Sequence, residues 1–127
     1  RALDFELDAA PTWVRAHRWM LQELTRNLLH NAIRHSPRGA ALLVQVAVRE
    51  GLGELRVRDA GPGIPPELRQ RLFSPFAAGD AARGTGLGLA ICREIAQALG
   101  GSIALDDRSA PDGRALGVDA VVRLPLA

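Results

Sequence analysis

Lysine and tyrosine are both absent from the 127 residues, so every basic side chain except three histidines is an arginine. Because almost nothing titrates between histidine and arginine, the charge changes little over several pH units. The pI near 9.9 therefore accompanies a net charge of only +2. The arginines are scattered along the chain, which does not indicate a nucleic-acid-binding surface. A Walker-type phosphate loop, which requires a lysine, is excluded.

Cysteine and long apolar runs are also scarce. Cys92 is the only cysteine; a single thiol excludes a disulfide-stapled secreted scaffold and favours a reducing compartment. The longest apolar runs, Ala40 to Val44 and Leu87 to Cys92, are far shorter than the roughly 20 residues that cross a bilayer. The sequence predicts one soluble domain over residues 1–127. Since it begins at Arg1 rather than Met, it is expected to be a piece of a longer protein.

Helical and strand periodicities divide the chain. Apolar residues recur at helical spacing from about His17 to Arg34 and from Leu87 to Leu99, where Gly100 and Gly101 suit a helix end. A short helix is expected at 67–72, and turns are expected at 106–114. Trp19 is expected to lie at or near the core. Strands are predicted at 3–7, 13–14, 42–48, 54–57, 102–105 and 118–124. This pattern predicts an α+β two-layer sandwich with helices on one face of the sheet.

A polar pair interrupts the first predicted helix. Asn27 and Asn31 are four residues apart and face the same way, beside apolar residues such as Leu24. A solvated polar face would explain them, but amides bordering a core need partners. Their carbonyl oxygens could ligate a hard cation such as Mg²⁺ together with substrate phosphates. Arg34 and His35 follow at the helix end, where a guanidinium could reach a phosphate.

Two glycine-rich segments could bind a nucleotide. Asp59 is followed by Gly61 and Gly63 after a predicted strand, and the segment Gly84 to Leu89 opens the second long helix. Glycine lets a backbone approach a flat ligand, and N–H groups at a helix start can bind phosphate. Each segment alone is weak, because ordinary turns and helix starts look similar, and the second lacks the spacing of a dinucleotide-binding fingerprint.

The order of four segments is more specific than any one of them. Asn27–Pro37, Asp59–Glu67, Leu72–Phe76 and Gly84–Ile91 closely resemble, in this order, the motifs of the catalytic ATP-binding domain of two-component sensor histidine kinases. Such domains belong to the GHKL superfamily of gyrase, heat-shock chaperone, mismatch-repair ATPase and kinase domains. The resemblance covers nearly the whole chain and is weakest from Asp106 to Gly117. It implies the Bergerat fold, with a mixed sheet of about five strands and three helices on one face.

The resemblance also implies the cofactors, ATP and Mg²⁺, and a role for each candidate residue. Asn31 would be the main Mg²⁺ ligand, Asn27 its helper and Arg34 a phosphate contact, and these three are the implied catalytic residues. The nucleotide-binding set adds His35 against the nucleotide, Asp59 as acceptor for the adenine amine, Gly61, Gly63 and Ile64 as the wall of the base pocket, Phe73 and Phe76 as lid anchors, and Gly84, Thr85, Gly86, Leu87, Gly88 and Leu89 around the triphosphate.

The sequence departs from the family pattern in two places. Ala77 and Ala78 stand where many relatives carry an aromatic and a basic residue at the start of the lid, and Arg83 is the candidate substitute for the basic one. No phosphoacceptor motif is present, and His17 and His30 are expected on the surface or in packing. The implied partners are therefore a dimerisation helix carrying the phosphoacceptor histidine, in the same or a partner chain, and a downstream response regulator. The implied setting is a cytoplasmic domain of a membrane-anchored homodimer.

Three functions remain open at this point. The favoured one is transfer of the γ-phosphate of Mg-ATP to a histidine on a separate helix. The second is a GHKL ATPase or an anti-sigma serine kinase, but such relatives carry a glutamate where this chain has Asn27, and an amide is a poor general base. The third is a non-catalytic ATP-binding regulatory module. Asn31, Asp59 and the glycines argue against it, whereas the alanine-rich lid is compatible with it.

Overall fold

The computed structural model describes Val14, residues 16–63 and residues 88–127, and it describes the backbone of residues 4–9. The elements in chain order are β1 (Asp4–Ala9), α1 (Arg18–His35), β2 (Ala41–Arg49), β3 (Leu52–Arg58), α2 (Gly88–Ala98), β4 (Ser102–Ser109) and β5 (Ala115–Pro125). The predicted α+β architecture is therefore confirmed. Of the three expected helices, the described part of the chain contains two, because the one expected at 67–72 lies outside it.

The strands form one sheet in the order β1-β2-β3-β5-β4. Strands β2, β3, β5 and β4 are antiparallel neighbours, and β1 joins the edge of β2 in parallel. The β2–β3 hairpin turns through Glu50 and Gly51, whose φ angles are 54° and 77°. Two consecutive positive φ values match the right-handed twist of paired strands, which explains a glycine at the second position.

The sheet has one face covered by both helices and one face covered by charged side chains. The helix-facing residues form a single core with the apolar stripes of α1 and α2. Its buried members include Leu24, Leu28, Ala32, Leu42, Val57, Cys92, Ile95, Ala96, Ala120, Val122 and Leu124. Because side chains alternate along a strand, the intervening residues of β3 and β5 lie on the opposite face.

That opposite face holds two buried carboxylates among arginines. The Asp119 side chain is 4% exposed and lies 2.8 Å from Arg56 Nη1 and 2.9 Å from Arg58 Nε. Glu54, equally buried, lies 3.1 Å from Arg56 Nη2. Burial by itself raises the pKa of Asp119, but hydrogen bonds from Arg58 and Arg56 and the charge of Arg108 outweigh it, so this pKa falls below its ordinary value. The sheet is thus stabilised by packing on one face and by ion pairs on the other.

The structure corrects two expectations drawn from the sequence. The predicted turn at 106–114 is shorter, because β4 continues to Ser109 and the turn occupies 110–114, closed by a 2.8 Å hydrogen bond from Gly113 N to Ala110 O. The charged residues there pair with β5 without an apolar alternation that would have marked a strand. Trp19 is 61% exposed rather than near the core, since it lies on the side of α1 opposite its buried stripe.

Other terminal features agree with the sequence pattern. Gly100 ends the second helix with φ 80°, and Gly101 N donates to Ala96 O at 2.8 Å, a glycine cap as predicted. Val14 forms a bridge with Leu126, whereas Trp13 lies outside the described residues. Neither of the two helices described combines the length and apolar character needed to cross a membrane.

Candidate functional site

The polar pair of α1 lies at the border of the core. Asn27 and Asn31 are half-buried, while Leu24 and Leu28 on the adjoining stripe are fully buried. Asn27 Nδ2 donates to Glu23 O at 2.8 Å and to Glu23 Oε2 at 3.3 Å. Both amide hydrogens therefore point back along the helix, which leaves Asn27 Oδ1 as the end of the amide that can accept or ligate.

Glu23 is a residue that the sequence reasoning missed. Its carboxylate contacts the amide of Asn27 and forms an ion pair with Arg26. Glu23 lies four residues before Asn27 and three before Arg26 on one helix, and these spacings bring the side chains together. The same spacings in the sequence could have identified Glu23. Through these contacts Glu23 orients the Asn27 amide.

Asp59, which directly follows β3, is held in one orientation by backbone groups. It is 6% exposed. Its Oδ1 accepts hydrogen bonds from Gly61 N at 2.9 Å and from Val118 N at 3.0 Å, and its own N–H donates to Val118 O at 2.9 Å. Neither carboxylate bond uses Oδ2. A buried carboxylate fixed in this way offers Oδ2 as an acceptor for an N–H group of a ligand.

The loop after Asp59 packs directly on the end of α1. Ala60 N donates to Ser36 Oγ at 3.2 Å, and Ser36, which was not singled out from the sequence, is 1% exposed. A Cβ on Gly61 would lie 2.5 Å from His35 O. The absence of a side chain at Gly61 thus serves contact with the chain's own helix rather than only the approach of a ligand. These contacts bring the loop after Asp59 against the end of α1, the helix that carries Asn27 and Asn31.

The remaining candidates divide between described and undescribed parts of the chain. Arg34 and His35 are exposed at the end of α1, and Gly63 has φ 87°, a conformation that favours glycine. Gly88 is the first residue of α2, no acidic residue lies in the first turn, and Leu89 packs on the core. Ile64, Phe73, Phe76, Gly84, Thr85, Gly86, Leu87 and the lid at 77–83 lie outside the described residues.

Cys92 does not belong to this site. Its side chain is fully buried in the core, with Sγ 3.7 Å from Leu24 O. Burial raises the pKa of the thiol to about 12. Since the thiolate is the nucleophilic and metal-binding form, Cys92 acts as a packing residue near neutral pH.

Comparison with known proteins gives concordant results. Residues 17–127 match the family model described as histidine kinase-, DNA gyrase B-, and HSP90-like ATPase. The histidine protein kinase DivJ of Caulobacter vibrioides is 39% identical over 117 residues, covering 89% of this chain and 19% of DivJ. The signal transduction histidine-protein kinase/phosphatase MprB of Mycolicibacterium smegmatis is 35% identical, covering 97% of this chain and 26% of MprB. The chain thus spans only about a fifth to a quarter of the length of these two relatives.

Solved structures show the same likeness in three dimensions. A mycobacterial sensor histidine kinase MprB structure superposes with a TM-score of 0.84 at 32% identity, covering 98% of this chain and 82% of that one. The nucleotide-free catalytic domain of histidine kinase ThkA also reaches 0.84, at 30% identity, with 98% and 79% coverage. The fold is therefore that of histidine kinase catalytic domains.

Proposed function

The chain belongs to the histidine kinase-, DNA gyrase B- and HSP90-like ATPase family, and from this membership we propose that it binds Mg-ATP and donates the γ-phosphate to a histidine on a separate dimerisation helix. An ATPase family implies ATP binding. The relatives named as histidine kinases support the phosphotransfer. The observation that carries the proposal is the orientation of the Asp59 carboxylate. Backbone groups fix its Oδ1, and its Oδ2 can accept a hydrogen bond near the end of α1.

Adenine is the base that this acceptor fits. The exocyclic amine of adenine donates N–H groups, whereas guanine carries a carbonyl oxygen at the corresponding ring position. A carbonyl facing the carboxylate would leave a buried acceptor without a donor, which costs about 1–3 kcal/mol. Asp59 would therefore discriminate ATP from GTP, with Gly61, Gly63 and Ile64 forming the wall of the base pocket.

Magnesium fits the donor set of α1. The described residues contain no group of three or more His, Cys, Asp or Glu side chains that could hold a metal. Asn31 and Asn27 instead offer amide oxygens, and Mg²⁺ commonly takes one or two protein oxygens together with waters and substrate phosphates. When bound, the ion would neutralise charge on the phosphates. Arg34 would add a contact to phosphate, and Gly84 to Leu89, with the start of α2, would surround the triphosphate.

The residues beside the proposed Mg²⁺ position favour transfer of the γ-phosphate to another group over hydrolysis of ATP. An amide stands at Asn27, where the ATPase and serine-kinase alternatives need a glutamate, and both of its hydrogens are engaged by Glu23. The Glu23 carboxylate is itself paired with Arg26. With no free base at this position, the phosphate acceptor has to be a group that is already nucleophilic, such as an imidazole. Catalysis by this domain would then consist of positioning and charge neutralisation.

The partners in this proposal follow from the phosphotransfer. The dimerisation helix, from the same or a partner chain, would supply the histidine, and a response regulator would receive the phosphate from it. The parent protein would be a membrane-anchored homodimer with this domain in the cytoplasm. Residues 77–83, anchored by Phe73 and Phe76, would close over the nucleotide.

Calorimetric titration with ATP and GTP in the presence of Mg²⁺ tests base recognition. Wild-type protein should prefer ATP, and Asp59→Asn should lose most of that preference, because an amide can present a donor as well as an acceptor. Asp112→Asn, in the exposed β4–β5 turn, is the matched control and should bind like wild type. Equal affinity of the wild-type protein for ATP and GTP would contradict the proposed site.

Phosphotransfer requires a second assay. Supplying the dimerisation helix of the parent protein in trans should yield acid-labile, base-stable phosphohistidine on that helix, and Asn31→Ala should abolish it. Rapid ATP hydrolysis by the domain alone would favour the ATPase alternative. ATP binding without transfer would favour the regulatory module.

A further inference from the structure

Arg108 connects the outer strand β4 to the loop that carries Asp59. Its Nη2 donates to Asp59 O, and also to Leu116 O at 3.3 Å. Because β5 lies between β3 and β4, the Arg108 side chain has to cross β5 to reach Asp59. It crosses at Gly117, its cross-strand partner. A Cβ there would clash with Asp59 O and would lie 2.6 Å from Arg108 Nη2, and the φ of 142° also favours glycine, so Gly117 makes room for both groups.

The guanidinium of Arg108 is itself held by a buried carboxylate. Arg108 Nε lies 3.0 Å from Asp119 Oδ1, without the alignment of a hydrogen bond. Asp119 is fixed in turn by Arg58 and Arg56. The charged face of the sheet therefore extends, through Arg108, to the main chain of the candidate base-binding residue.

Asp59 is consequently held at opposite ends of its main chain. Val118 fixes its N–H and its Oδ1, and Arg108 fixes its carbonyl oxygen. Because the residue is almost completely buried, its carbonyl would lose a charged donor if Arg108 were removed, and water could replace that donor only by opening the loop. A rotation of the Asp59 peptide would redirect Oδ2.

We propose that Arg108 is a positioning residue for adenine recognition, which acts by fixing the Asp59 main chain so that Oδ2 faces the exocyclic amine of the base. The inference rests on the proposed nucleotide function and adds a residue from the segment where the family resemblance is weakest. Arg108 does not contact the base in this proposal. It acts through Asp59, and Gly117 leaves room for the Asp59 carbonyl and the Arg108 guanidinium to meet.

The test compares Arg108→Gln with Arg58→Gln in the whole chain. Arg58 contacts the same Asp119 carboxylate, at 2.9 and 3.1 Å, so its replacement weakens the charged face and leaves the Arg108 contact to Asp59 in place. Affinities for ATP and GTP are measured by calorimetry. Arg108→Gln should lower the ratio of ATP to GTP affinity by roughly tenfold, the scale expected for one misplaced buried hydrogen bond. Arg58→Gln should leave the ratio unchanged.

Two further measurements separate positioning from simple loss of stability. Arg108→Lys retains a positive charge beside Asp119 but cannot hold the carboxylate and two carbonyls with one fixed fork, so it should fold and still lower the ratio. In both Arg108 variants, the amides of Gly61 and Val118, which donate to Asp59 Oδ1, should exchange with solvent faster than in Arg58→Gln.

The outcomes distinguish this inference from the function on which it rests. A wild-type protein without preference for ATP would refute the proposed site itself. A wild-type preference that persists in Arg108→Gln and Arg108→Lys would overturn the positioning role alone. An equal fall of the ratio in Arg58→Gln would also overturn it, because the effect would then belong to the whole charged face.

Discussion

Asp119→Asn is the substitution that best measures the contribution of the charged sheet face. The wild-type carboxylate is 4% exposed and has nitrogen atoms of Arg56, Arg58 and Arg108 within 3.0 Å. Removing one partner of a buried ion pair costs about 3–5 kcal/mol. The arginine side chains, however, are 22% to 38% exposed, so water can solvate part of their charge, and asparagine can still accept hydrogen bonds. We expect a loss of about 2 kcal/mol in the free energy of unfolding at pH 7.

The pH dependence of this loss identifies its cause. The pKa of Asp119 is lower in the folded protein than in the unfolded chain, so the carboxylate stabilises the fold above its unfolded pKa of about 3.9. That contribution disappears as the pH falls through the folded pKa. The difference in unfolding free energy between wild type and Asp119→Asn should therefore be constant from pH 7 to about pH 5 and shrink in more acidic solution.

Urea denaturation monitored by circular dichroism at a series of pH values measures this difference. Asp112→Asn, on the exposed turn, is the control for a change in net charge and should show no comparable loss. A difference that stays constant down to the lowest pH at which the protein folds would refute the electrostatic explanation and would point to packing instead.

Two further predictions concern buried groups. Ser36→Ala removes the acceptor of Ala60 N, which is half-buried. Because that N–H is left unpaired, we expect a loss of about 1–2 kcal/mol in the free energy of unfolding, measured by urea denaturation, and weaker ATP binding, measured by calorimetry. Unchanged values in both assays would contradict this. The Cys92 thiol is fully buried and has a pKa of about 12. It should therefore resist a thiol-modifying reagent in the native protein at pH 8 and react at once in denaturant. Rapid labelling of the native protein would contradict this burial.

The sequence predicted the geometry of those parts of the candidate site that depend on neighbouring residues. Asn27 and Asn31 lie on one helix, so helical spacing alone places them side by side. Gly100 also follows from local rules, because a helix end with positive φ favours glycine. A sheet with helices on one face was likewise predicted from the alternation of apolar residues along strands and their helical spacing elsewhere. Both patterns can be recognised from residues that are close in sequence.

The parts that could not be predicted depend on contacts between distant residues. Arg108 reaches Asp59 across 49 positions of sequence, and only the strand order brings them together. The segment from Asp106 to Ser109 carries charges rather than alternating apolar residues, and its strand conformation comes from pairing with β5. Trp19 was expected near the core on its residue type, but its position on α1 turns it towards solvent.

The position of β5 in the sheet bears on how the domain folds. This strand is the last element in the chain, yet it lies between β3 and β4 and pairs with both. During synthesis, β3 and β4 therefore cannot be joined into one sheet until residues 115–125 have emerged to lie between them. Joining β3 to β5 requires closing a loop of more than fifty residues, a contact that is entropically costly and slow to form. Since Val118 of this strand fixes Asp59, the candidate base-binding carboxylate should be ordered late in folding, together with the completed sheet.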